Sequence, residues 1–104
     1  MLNMNKMMKQ VQKLQAEMAR VQEELGEARV EASAGGGAVT AVANGRGELQ
    51  ALTIAPAAVD LADLTLLQDL VVAAVNEVQR RARAQAEERM KAVTGGLPIP
   101  GLTV

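Results

Sequence analysis

Few side chains in this 104-residue chain can do chemistry: it has no His and no Cys, and its single Ser is Ser33. Ser-His and Cys-His nucleophilic chemistry and ordinary zinc ligation therefore lack their side chains. The carboxylates fall mostly where helix surfaces should lie, and such charges read as solvated faces. Three consecutive glycines, Gly35-Gly36-Gly37, raise the question of a phosphate-cradling loop. A loop of that type sets Lys and Ser or Thr directly after its glycines and then opens a helix. Here Ala38-Val39-Thr40 follows in a strand-like stretch, so the glycines are read as a turn, and the dinucleotide-binding fingerprint fails for the same reason. The expectation is a protein that is not an enzyme, with no cofactor, no metal and no small-molecule substrate.

The basic residues are more telling. Residues 1 to 13 carry Lys6, Lys9 and Lys13 and no acid, whereas Glu17, Glu23, Glu24 and Glu27 follow them. On a helix this order opposes the dipole, which favours acids at the N-terminus by ~0.3–1 kcal/mol per charge. Stability alone would not select it. Further on, Asp63, Asp69 and Glu77 precede Arg80, Arg81, Arg83, Arg89 and Lys91. If the two segments pair as antiparallel helices, both basic clusters are expected at one tip. The net charge of −1 then conceals a dipolar molecule, and a polyanion responds to the local patch.

The elements that position these residues follow from hydrophobic spacing. Met4, Met7, Val11, Leu14, Met18, Val21, Leu25 and Ala28 alternate steps of three and four, the seam of a helix lying lengthwise on another helix. With Met4 as position a, Lys6, Lys13 and Arg20 occupy c and Lys9 occupies f, on the outer face. A second helix is predicted over about residues 63–93, capped by Asp60 or Asp63 and ended by Gly95. Its stripe runs through Leu67, Leu70 or Val71, Ala74, Val78, Ala82, Ala86, Met90 and Val93. Between the helices, residues 29–34, 38–43 and 48–54 read as three strands joined by "AGGGA" and "NGRG", with Asn44-Gly45 suited to positive φ. The fold class is α+β, with one domain over residues 1–94 and a Gly/Pro-rich tail over 95–104, in which Leu97, Ile99 and Leu102 either stay loose or lie in a groove. Hydrophobic residues make up 49% of the chain with no Phe, Tyr or Trp, so the core is thin and an oligomer is expected.

The segments "MMKQVQKLQAEMARVQEEL", "GGGAVTAVANGRGEL" with "LTIAP", "LLQDLVVAAVNEVQRRA" and "TGGLPIPG" together resemble the YbaB/EbfC family of bacterial nucleoid-associated proteins, over essentially the whole chain. The resemblance implies a long N-terminal helix, a three-stranded antiparallel sheet and a long C-terminal helix, in a homodimer whose helical arms project like tweezers. It also implies double-stranded DNA as partner and a nucleoid location. Carried over position by position, the arms correspond to Lys6, Lys9 and Lys13 and to Arg80, Arg81 and Arg83. The second strand and its turn carry less charge than the family pattern suggests, with Arg46 alone there.

The expected function is DNA binding with weak sequence selectivity, because phosphate contacts set position rather than sequence. Single-strand binding by stacking is disfavoured for want of aromatic platforms. An alternative is a helical adaptor that docks another protein through the Met-rich seam and the Gly-Pro tail. A membrane-surface helix ranks last, since aromatic anchors are missing. No apolar run reaches the length of a signal peptide or membrane span, and the absence of Cys fits a reducing compartment, so a cytoplasmic location is expected.

Overall fold

The computed structural model describes residues 3–95. The chain runs through helix α1 (Met4–Glu27), strands β1 (Val30–Ala34), β2 (Val39–Ala43) and β3 (Leu49–Ile54), a single 3-10 turn (Pro56–Ala58) and helix α2 (Leu64–Thr94). The predicted α+β class and element order are those observed. Residues 96–104, which hold most of the expected tail, lie outside the described residues.

Each boundary has a local cause. The side chain of Asn3 accepts the Lys6 N–H and caps α1, and that of Asp63 accepts the Leu66 N–H and caps α2. Of the two acids offered as caps, Asp63 does the capping, while Asp60 accepts the Ala62 N–H in the preceding turn. Gly95 ends α2 in the left-handed conformation at φ 64°, returning its N–H to the Lys91 carbonyl.

The strands form an antiparallel meander, β1-β2-β3, with Val30 opposite Ala43 and Ala34 opposite Val39. The three glycines turn between β1 and β2, all at positive φ (66°, 67° and 96°). The second turn differs from its expected form. Neither Asn44 nor Gly45 takes positive φ; Gly47 does, at 85°. Asn44 instead accepts the Arg46 and Glu48 N–H groups on its side-chain oxygen, which fixes a longer loop and moves the left-handed position to Gly47. Gly45 is required for space, since a Cβ there would stand 2.7 Å from the Leu25 carbonyl oxygen.

The core lies between one sheet face and α2. Val30, Ala32, Val39, Ala41 and Ala43 meet Ala74, Val78 and Ala82, and the Ala residues let helix and sheet approach closely. Burial stops short of β3. Ile54 and Leu52 lie opposite Val39 and Ala41 and so share the α2 side of the sheet, yet they stay 36% and 39% exposed. The heptad seam of α1 is likewise half used. Val21 and Leu25 are buried, whereas Met4, Met7 and Val11 are exposed.

Candidate nucleic-acid interface

The first basic cluster stands on the outer half of α1. Lys6, Lys9 and Lys13 are exposed, and among the described residues none has a carboxylate within 4.0 Å. The first turn of α1 contains no acid. Three solvated ammonium groups at a helix end that the dipole makes positive form a patch fit for an anion. Two turns further in, the charge is neutralised: Arg20 pairs with Glu17 at 2.7 Å and with Glu24. The hydrogen bond from Arg20 holds the Glu17 carboxyl below its ordinary value.

The second cluster stands midway along α2, beside β1. Glu77 holds two arginines at once. Its Oε1 accepts from Arg80 Nη2 at 2.6 Å and from Arg81 Nε at 3.1 Å, and its Oε2 accepts from Arg80 Nε at 3.0 Å. Chiefly through the Arg80 hydrogen bond, reinforced by Arg81, the Glu77 carboxyl is lowered to about 2. Arg81 also donates through Nη1 to the Glu31 carbonyl at 2.9 Å, tying α2 to β1. Arg83 is exposed, with no carboxylate within 4.0 Å among the described residues.

Between these arginines and β1 opens a shallow concavity of about 410 Å³, lined by Arg29, Glu31, Arg80, Arg81 and Gln85. Arg29 was missed at the sequence level. It stands just before β1, and only the pairing of that strand with α2 brings it to Arg80 and Arg81, so no local pattern marks it.

The two clusters do not share one tip. Arg89 of α2 pairs with Glu24 of α1 at 3.0 Å, which fixes where the helices cross. The described chain is 73 Å long, whereas α2 alone spans about 46 Å at ~1.5 Å per residue, so α1 runs on past the end of α2. At that rise Lys6 lies about 27 Å outward from Glu24, and Arg80 about 13 Å from Arg89 in the opposite direction. The lysines and arginines are therefore about 25–40 Å apart along the long axis. Pairing at the Glu24–Arg89 register, rather than end to end, is the reason.

Arg46 has a structural task. Its Nε and Nη2 donate to the Gln22 carbonyl at 3.1 and 3.0 Å, fastening the β2–β3 loop to the C-terminal part of α1. It packs over Gly26, where a Cβ would meet its guanidinium at 2.6 Å. Among the described residues no three or more acids converge as a metal site, and no helix is long and apolar enough to cross a membrane.

Comparison with known proteins places the chain among named relatives. The chain is 54% identical over 100 residues to a nucleoid-associated protein of Pelotomaculum thermopropionicum, covering 96% of this chain and 95% of that one. It is 56% identical over 99 residues to a nucleoid-associated protein of Moorella thermoacetica, covering 95% of each. The crystal structure of the uncharacterized protein HP0035 from Helicobacter pylori shares the fold at a TM-score of 0.75 and 21% identity, covering 94% of this chain and all of that one. The model of the YbaB/EbfC DNA-binding family matches residues 1–97, and the chain belongs to that family.

Proposed function

We propose that this protein is a nucleoid-associated, dimeric DNA-binding protein that holds duplex DNA by phosphate contacts from its helical arms, with weak sequence selectivity. The observation that carries the reading is the unpaired lysine cluster on the outer half of α1, in a chain whose family is a DNA-binding one. Lys6, Lys9 and Lys13 supply one contact region and Arg80, Arg81 and Arg83 a second. Their separation of about 25–40 Å compares with ~34–36 Å for one turn of duplex, so one subunit can touch phosphates about a turn apart. No aromatic side chain offers a stacking platform for single strands. Nothing in the geometry points to catalysis, and the adaptor alternative finds no support in the comparisons.

The dimer is part of the proposal. Leu49, Leu52 and Ile54 leave the α2 side of β3 apolar and open, and a second copy of the chain supplies the missing cover. Residues 1–94 then act as one dimerisation and DNA-binding unit at the nucleoid.

The test is a salt titration of binding to labelled random-sequence duplex, with single-stranded competitor. If about four to eight phosphates are contacted, log K falls against log salt with a slope of roughly −4 to −7. Lys6→Glu, Lys9→Glu and Lys13→Glu together should flatten that slope and weaken binding alike on all sequences. Undiminished binding by the folded triple variant removes α1 from the mechanism. An effect confined to one sequence replaces phosphate contact with base reading.

A further inference from the structure

The ion pairs around Glu77 are arranged in a way that a surface helix pair does not require. Pairs between residues three or four apart on a helix are ordinary. Here one carboxylate holds two guanidinium groups, and Arg81 is fixed at its other end by the Glu31 carbonyl, fifty residues away in sequence. Arg29 lines the same concavity, linked at 3.5 Å to the carboxylate of Glu31, which lines it too. Three guanidinium groups thus border a hollow of about 410 Å³, with Glu77 occupying the donors of two of them.

We propose that this hollow takes a single backbone phosphate of duplex DNA on Arg29, Arg80 and Arg81, and that Glu77 is the internal competitor the phosphate displaces. The inference rests on the DNA-binding reading above and deepens it. A carboxylate and a phosphate present similar paired oxygens to a guanidinium fork, so one replaces the other without rebuilding the site. The exchange is feasible because exposed ion pairs are weak, and the side chains of Arg80 and Arg81 are 63% and 52% exposed. Arg81 stays oriented throughout by the β1 carbonyl, so its fork is preorganised for the incoming oxygens. With its carboxyl lowered to about 2, Glu77 remains a competitor across the physiological range. It sets how strong a polyanion must be before the second contact region engages.

The experiment uses the full chain, labelled random duplex and a salt series. Glu77→Gln removes the competing charge while keeping an acceptor for the arginines. It should tighten binding about threefold to tenfold at fixed salt, the range set by one or two weak ion pairs. The salt slope should steepen by about one unit. Arg29→Gln, at an exposed site with one long contact, should weaken binding and flatten the slope by about one unit, and it keeps the test open should Glu77→Gln unfold. If Glu77 is purely structural, Glu77→Gln lowers the melting temperature and leaves DNA binding unchanged, which overturns the proposal. If the wild type binds duplex and the triple lysine variant does not, while Glu77→Gln and Arg29→Gln leave the slope untouched, the phosphate hollow falls and the arm reading stands. If the wild type binds no duplex at any salt, both fall.

Discussion

Asn44 is the buried polar residue among the described ones, 5% exposed, and it holds the β2–β3 loop from both ends. Its side-chain oxygen accepts two backbone N–H groups, and its amide donates to the Glu48 carboxylate at 2.9 Å. Asn44→Ala strands those donors, and the expected cost is about 1–3 kcal/mol by urea denaturation. Glu77 is a different case, a half-buried carboxylate held by charged partners. Because its folded-state carboxyl is depressed, its contribution is present above the usual carboxylate range and is lost as pH falls through about 2. The difference in melting temperature between wild type and Glu77→Gln should therefore stay flat from about pH 5 to 8 and close in strong acid. Neither interaction network was fully legible. The sequence marked Asn44 and Gly45 as turn residues, but not that Gly45 yields space to Leu25 while Gly47 takes the left-handed conformation. That assignment depends on how closely α1 approaches the loop, a contact between residues distant in sequence.

At the level of elements the sequence was far more readable. Hydrophobic spacing, two caps and the glycine turns placed both helices and all three strands within a residue or so of their observed ends. These signals are local, set by neighbours three or four positions away, so they survive without knowledge of the fold. What spacing alone misjudged was use. The α1 seam is continuous in sequence, yet only its inner part packs within the chain, because α2 ends about a turn and a half beyond the Arg89 crossing point. Leu25 is the seam's anchor at 1% exposure. Leu25→Ala should cost about 2–5 kcal/mol in urea unfolding, since little around it can collapse into the space. The candidate site divides along the same line. Its lysines were found from their disagreement with the helix dipole, while Arg29 and the β1 tether of Arg81 depend on sheet topology and carry no local mark.

The described part of the molecule is thin and long, 73 × 22 × 15 Å, and its core is built without one aromatic ring. Such a body leaves much apolar surface open, including Leu49, Leu52 and Ile54 on the α2 side of the sheet. A homodimer should sediment at twice 10.9 kDa. Leu52→Asp with Ile54→Asp should shift it towards the monomer, because the charges would be buried unpaired at the interface. A wild-type chain that stays monomeric across its working concentrations would remove that interface.

The outer half of α1 also makes a lever. Lys6 stands about 27 Å from the Glu24 crossing point, on a helix stiff along its length. A tilt of about 10° at the root therefore carries the lysine tip about 5 Å, more than the ~3.4 Å axial step between successive phosphates of one strand. Small changes in how α1 seats on Arg46 and the β2–β3 loop, where the Gln22 carbonyl is clasped, are magnified outward into whole-phosphate displacements. On the proposed reading, a loop that supplies none of the proposed phosphate contacts thus sets the span that the arm can reach.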